Sequence, residues 1–285
     1  MVSVMMPCYN AAGTIGTALT SLLLQTYQDW ECIVVDDGST DASRDQILRF
    51  TDPRLRYFRL AENNGRGAAQ AAALQHARGS LLANLDCDDW YYPDKLERQV
   101  HFLTAHPEIA SVAVGLALAE PYFRLVGVRS NPVLRIYPAA RHPRLNFACG
   151  SAMTRTSLAR QIGFDPSLRR GHDYKFYQLL LRERAYAILD GIGYVYSFRH
   201  GTTVQATCQG LLANLKFHAE HLREYPLFAS SHMIMCALKY GLYRLLEWSG
   251  LWETYRHARI SRPNAEQVLQ FQNALRQLQE SNSWS

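Results

Sequence analysis

A chain of 285 residues, 48% of them hydrophobic, is long enough to bury a real core as one large domain or as a domain with an appendage. The formal net charge of +5 is a mild excess. The six cysteines (Cys8, Cys32, Cys87, Cys149, Cys208, Cys236) are scattered without a CxxC pair, which gives no disulfide or zinc framework and suits a reducing compartment.

"VSVMMPCYN" opens the chain without a basic and apolar leader, and no apolar run reaches the roughly 18 to 20 residues of a membrane span. The expectation is a cytoplasmic chain, peripheral at most at the inner face of a membrane. "VSVMM" (2–6) reads as a buried strand. Ile15, Leu19, Leu22 and Leu23 then recur at helical spacing. "ECIVV" (31–35) is the next strand, followed by a helix in "STDASRDQILRF" that Ser39 or Thr40 would cap. "LRYFRL" (55–60) is a strand, "RGAAQAAALQHA" (66–77) an alanine-rich helix and "SLLANL" (80–85) a strand. Pro93 stands at a plausible first helical position of "PDKLERQVHFLTAH", and "IASVAV" (109–114) is a further strand. This alternation predicts an α/β fold with a mostly parallel sheet covered by helices on both faces.

Residues 115–200 change character. Arg124, Arg129, Arg135, Arg141, Arg144, Arg155, Arg160, Arg169 and Arg170 share a stretch with one acid, Asp165. Helices are expected over 155–162, stopping at Gly163, and over 172–184; "AYAIL" and "YVYSF" read as two strands. From about Thr207 the pattern is helical. Ile234, Leu238, Leu242 and Leu245 form one stripe, and Val268, Phe271, Leu275 and Leu278 form a seam able to meet another helix. The tail "ESNSWS" is expected to fray.

In an open parallel sheet, ligands bind beyond the carboxyl ends of the strands. Here successive strands deliver Pro7-Cys8-Tyr9-Asn10, Asp36-Asp37-Gly38-Ser39, Asn63-Asn64-Gly65 and Asp86-Cys87-Asp88-Asp89 to that edge. One such cluster reads as a turn with a helix cap or a solvated acidic turn. Four at equivalent places read as a site.

These residues resemble a known family. "VSVMMPCYNAAGTIGTALTSLLLQTYQDWECIVVDDGSTD" followed by "LDCDDWYYPDKLERQ" is similar to the family 2 glycosyltransferases of the GT-A fold over roughly residues 2–105. "FACGSAMTRTSL" and "GHDYKFYQLLLRERAYA" continue the likeness more weakly, and it stops near residue 205. The resemblance implies a nucleotide-sugar-binding half at 1–110, an acceptor and catalytic-base half at 111–204, and a helical region at 205–285. It implies an inverting, metal-dependent transfer from a nucleotide diphosphate sugar, a UDP-sugar by default, to a hydroxyl of a glycan or lipid-linked acceptor.

Residue roles follow from the same likeness. Asp88 is the principal ligand expected for Mn²⁺ or Mg²⁺, with Asp89 or Asp86 helping or contacting ribose. Tyr9 would stack on the base and Asp37 accept from a base N–H, with Pro7 beside them. Asn10 would either satisfy local backbone groups or reach the donor. Arg66 would meet a phosphate, or lie solvated; many relatives place an arginine where this chain has Gln70. Asp173 fits the base position, although relatives commonly show Glu-Asp where this chain has His172-Asp173. Gly150 would let backbone approach the donor sugar, and His200 would approach the metal or diphosphate.

The arginine-rich stretch reads either as a solvated basic face or as an acceptor side that attracts an anionic partner. The C-terminal helices, with Lys239, Arg244, Arg256 and Arg259 near Trp248 and Trp252, leave peripheral membrane contact open beside packing on the domain or a homodimer; the last two are favoured. No aromatic-basic interleaving points to nucleic acid. Two rival readings stand beside the transferase: a degenerate, non-catalytic binding module, and a sugar-nucleotide nucleotidyltransferase, whose glycine-rich phosphate loop "PCYNAAG" lacks.

Overall fold

A computed structural model describes residues 1–120, 123–198, 203–258 and 260–281. The chain runs β1 (Val2–Cys8), α1 (Ile15–Leu23), β2 (Trp30–Asp36), α2 (Ser43–Leu48), β3 (Leu55–Arg59), α3 (Arg66–His76), β4 (Leu81–Asn84), β5 (Trp90–Tyr91), α4 (Lys95–Ala105), β6 (Ile109–Glu120), β7 (Arg124–Arg129) and β8 (Arg135–Tyr137). It continues as β9 (Met153–Arg155), α5 (Thr156–Ile162), α6 (His172–Leu180), β10 (Ala185–Ser197), α7 (Val204–Glu220), α8 (Pro226–Trp248), α9 (Trp252–Ala258) and α10 (Ala265–Ser281).

The strands form one sheet in the order β3-β2-β1-β4-β9-β6-β10-β5, with β7 on β6 and β8 on β10. β3, β2, β1 and β4 are parallel; antiparallel β9 joins this block to the parallel pair β6 and β10. Connections leave β1 toward β2 on one side, while β4 adds on the other. That reversal opens a crevice at the carboxyl ends of β1 and β4. Strand periodicity splits the core between the faces. Val4 and Met6 of β1 and Cys32 and Val34 of β2 pack with Leu19 and Leu96, whereas Met5, Ile33 and Val35 pack with Ala69, Ala73 and Phe176.

Several local expectations change. Ser39 and Thr40 do not cap α2, because Ser39 Oγ accepts the Asn10 N–H; Asp41 takes the Ser43 N–H instead at 2.9 Å. Asp94, not Pro93, precedes α4, and the Pro93 carbonyl accepts from Thr26 N. α6 stops at Leu180, ahead of Glu183 in the left-handed region at φ 56°. The two strands expected after it are one, β10, whose register against β6 slips around Gly191, at φ 67°.

The arginine-rich stretch is not one basic face. Arg155 donates to the carbonyls of Leu103 and His106 at the end of α4, Arg160 to that of Ala77 after α3, and Arg124 pairs with Glu120. Cations at helix C-termini answer the dipole and the unpaired carbonyls there. In the tail, Phe271, Ala274 and Leu278 of α10 pack on Trp90 and Val128. By contrast, Ile234, Leu238, Leu242 and Leu245 of α8 face outward. No helix among the described residues is long and apolar enough to cross a membrane.

Candidate active site

The tips of β1, β2 and β3 are tied into one frame. The Asn10 side-chain carbonyl accepts the Thr40 N–H at 2.9 Å, with its own backbone at φ 49°. Ala11 N donates to Ser43 Oγ at 2.7 Å. Asn10 thereby stitches the first loop to the second. Asp36, fully buried, accepts from Tyr57 Oη and Ser39 N. Asp37, also buried, accepts the Asn64 N–H at 2.9 Å and the Gly65 N–H at 2.8 Å, one on each carboxylate oxygen. Gly65 sits at φ 93°, and a Cβ there would lie 2.7 Å from Arg169 Cγ, so only glycine lets that loop close against the segment before α6.

Between these tips lies a cleft of about 310 Å³, lined by Pro7, Tyr9, Asp37, Arg66, Asp88, Arg169 and Arg170 among others. That is the low end of the roughly 300–1,000 Å³ usual for small-ligand sites. Tyr9 is half exposed over it. Cys8 and Cys87 meet beside it: the hydrogen bond between the thiols lowers the pKa of Cys8 and raises that of Cys87.

The acidic triplet divides by surroundings. Asp86, partly buried, pairs with Arg66 Nη1 at 3.1 Å, and its charge raises the Arg66 pKa. Asp88 is partly buried at the cleft wall. Asp89 is buried, accepting from Tyr194 Oη and, at 2.7 Å, from Ser197 N of β10. Burial, with Asp86 and Asp88 alongside, pushes the Asp89 carboxyl well above the usual range. One oxygen from each of the three lies within 4.8 Å of the others.

Asp173 stands in the first turn of α6, whose cap is Gly171 in the left-handed region; no side-chain oxygen caps this helix, so Asp173 is not its cap. The same Arg66 guanidinium feels Asp86, Asp88 and Asp173. His172 is buried, its Nδ1 has no hydrogen-bond partner, and burial lowers its pKa. Gln70 is also buried, with Oε1 unpartnered.

A short 3₁₀ turn, Cys149–Ser151, links the two carboxylate regions. Burial and a hydrogen bond to Asp173 raise the Cys149 pKa. A Cβ on Gly150 would lie 2.8 Å from Tyr194 Oη. A side chain at 150 would thus collide with Tyr194, the partner of Asp89. Sequence reasoning missed Cys149 and Tyr194, because nothing but the fold brings either to Asp173 or Asp89. His200 lies outside the described residues.

Fold and site together define a GT-A-type transferase architecture. It aligns with S. aureus TarS 1–349 in complex with UDP-GlcNAc at a TM-score of 0.65 and 19% identity, covering 98% of this chain and 81% of that one. A mannosyltransferase from Pyrobaculum calidifontis, in complex with GDP-Man and Mn²⁺, aligns at 0.58 and 18% identity, over 99% and 87% of the two chains. The model of glycosyl transferase family 2 matches residues 3–163, and the chain belongs to that family. WfgD of Escherichia coli, a UDP-Glc:alpha-D-GlcNAc-diphosphoundecaprenol beta-1,3-glucosyltransferase, is 40% identical over 103 residues, which are 36% of this chain and 41% of WfgD.

Proposed function

We propose that this protein is an inverting, divalent-cation-dependent glycosyltransferase. Its donor is a nucleotide diphosphate sugar, a UDP-sugar before others, and its acceptor a hydroxyl of a glycan or a lipid-linked saccharide. The observation that supports the reading is the meeting of Tyr9, Asp37, Arg66 and Asp88 in one cleft, with Asp86 and Asp173 near enough for their charges to act on Arg66. The UDP-GlcNAc bound by TarS and the UDP-Glc named for WfgD support the donor class. The diphosphoundecaprenol in WfgD's name supports a lipid-linked acceptor. Such an acceptor brings the reaction to a membrane surface, in keeping with the peripheral cytoplasmic position expected from sequence.

The donor set fits a hard cation. Asp86 and Asp88 offer carboxylate oxygens near one another at the cleft, and such ions take one or two carboxylates with phosphate and water for the rest. Asp89 is the poorer ligand of the three, since both its oxygens already accept hydrogen bonds from β10. When bound, the cation supplies positive charge against the departing diphosphate. Tyr9 holds the base by stacking. Arg66 adds a fixed positive charge beside the phosphates. Asp173 takes the proton of the acceptor hydroxyl as that oxygen bonds to the anomeric carbon, while the bond from that carbon to the diphosphate oxygen breaks on the opposite face.

Calorimetry with UDP-, GDP- and dTDP-sugars, with and without Mn²⁺, tests the donor site. Binding to a UDP-sugar that Mn²⁺ strengthens is expected, and Asp88→Ala should weaken the Mn²⁺-dependent part at least tenfold, about 1.4 kcal/mol. A variant whose binding Mn²⁺ strengthens as much as it does the parent's would remove Asp88 from metal binding.

A further inference from the structure

Two cysteines meet in the cleft, and the proposed reaction uses neither. Cys8 ends β1, and Cys87 lies three residues past the end of β4. The two strands are adjacent and parallel, with Met5 paired to Asn84 and the Leu85 N–H bonded to the Met5 carbonyl at 3.0 Å. Three residues on from that pair, along each strand's course, stand Cys8 and Cys87. Both side chains pack in one apolar cluster with Ala11 and Ile15, on the α1 face of the sheet. Both also line the cleft of about 310 Å³, and their thiols share a hydrogen bond. Like the other four cysteines of the chain, both are free thiols.

We propose that Cys8 and Cys87 are a modification site: hydrogen peroxide entering the cleft converts the dithiol to a disulfide that ties the tip of β1 to the loop carrying Asp86 and Asp88. One thiol sulfur takes an oxygen atom from the peroxide, which leaves a sulfenic acid and one water. The second sulfur then bonds to the first, and a second water departs. The two thiols together give up two electrons, and one peroxide is reduced to two waters. Neighbouring strands lie about 4.8 Å apart, inside the roughly 4.4–6.8 Å that a disulfide spans between Cα atoms. The shared hydrogen bond already turns the two sulfurs toward one another.

Burial selects the oxidant. Cys87 is 8% exposed and Cys8 1%, so a molecule the size of peroxide reaches them where a bulky disulfide reagent does not. A sulfenic acid formed there finds a thiol beside it, which favours the disulfide over further oxidation. The consequence for the cleft rests on the proposed function. Asp86 and Asp88 flank Cys87, and Tyr9 follows Cys8 directly. A bond between the sulfurs holds the carboxylate-bearing loop against β1, so the oxidised protein should bind a nucleoside diphosphate with Mn²⁺ more weakly than the reduced one.

The full chain, reduced and then treated with a modest excess of hydrogen peroxide, is expected to lose about 2 Da, the two thiol hydrogens. Two of its six thiols should disappear from a count made in denaturant. Proteolysis should release linked peptides holding Cys8 and Cys87, and dithiothreitol should reverse all three changes. Cys8→Ser and Cys87→Ser should each abolish the mass loss; the two lie on separate segments, so one still reads the pair if the other fails to fold. In calorimetry with Mn²⁺, UDP should bind the oxidised chain roughly tenfold more weakly than the reduced one. The proposal falls if peroxide oxidises methionines in the sample without joining Cys8 to Cys87, or if the linked peptides hold a different cysteine pair. A Cys8–Cys87 disulfide that leaves UDP affinity unchanged overturns its effect on the cleft. A reduced chain that binds no UDP overturns the donor reading instead, while mass and peptides still decide the modification site.

Discussion

Asp88 and Asp89 are neighbours in the chain with opposite surroundings. Asp89 is turned inward onto Tyr194 and Ser197, and its charge is suppressed by burial and by the acids beside it. Asp88 stays at the cleft wall, where a cation's charge would relieve the repulsion that makes such a triplet costly. Asp173 reaches this group from another element and accepts its own helix's Tyr174 N–H through Oδ1 at 2.8 Å, beside its hydrogen bond with Cys149. A carboxylate acting as general base typically contributes about 10²- to 10⁴-fold. Asp173→Asn is therefore expected to lower kcat by that order while leaving donor affinity within about twofold, as steady-state transfer assays and donor calorimetry would read. Undiminished turnover would take Asp173 out of the mechanism. Tyr9, Asp37 and Asp88 were placed at one sheet edge by the sequence pattern and line the same cleft, whereas Asp173 came from the family likeness. The inward turn of Asp89 and the notch at Gly150 were not legible, because both depend on Tyr194, a residue far along the chain.

At the scale of elements, α6, α7 and α8 meet around His218. It is buried, its Nε2 lies 2.9 Å from Tyr174 Oη, and the His232 ring centroid is 4.9 Å from its own. Burial, then the nearby His232, His221 and His142, bring its pKa down to about 4. In the unfolded chain an imidazole takes its proton below about 6.5. Between those values the unfolded state binds the extra proton and the folded state does not, so stability falls as pH drops from 6.5 toward 4. The loss through His218 should reach about 3 kcal/mol at the acid end. Urea unfolding at pH 7 and pH 5 checks it: His218→Gln should flatten the slope, and an unchanged slope would shift the cause to another group. The α7–α8 pair was foreseen as helix from periodicity. That the stripe of Ile234, Leu238, Leu242 and Leu245 turns outward was not legible, because in pattern alone it matches a buried stripe.

Over the whole molecule, one sheet joins the donor side to the base-bearing side, so a disturbance at one end should be felt at the other. α10 braces this arrangement from the far C-terminus: Phe271 packs on Trp90, ring centroids 5.7 Å apart, and Trp90 follows Asp89 directly. Phe271→Ala should cost about 3–5 kcal/mol, the usual range for a buried phenylalanine. It should lower the melting point of the catalytic unit in a single transition. Calorimetry showing an early melt confined to a small part of the enthalpy would instead make α10 a separate unit.

Local pattern determined a great deal. Alternating strand and helix periodicities set the layered fold, and polar clusters at the strand ends set the edge where the site forms, since both follow from backbone geometry and solvent alone. Family membership was readable because these clusters recur in order over the first hundred or so residues. Tertiary structure decided the rest: that β9 runs antiparallel between two parallel blocks, that β10 is one bulged strand, that Arg155 and Arg160 turn to helix ends while Arg169 and Arg170 line the cleft, and that α8 turns its apolar stripe outward. Each of these depends on which distant surface reaches a group first, and a linear pattern holds no record of that competition.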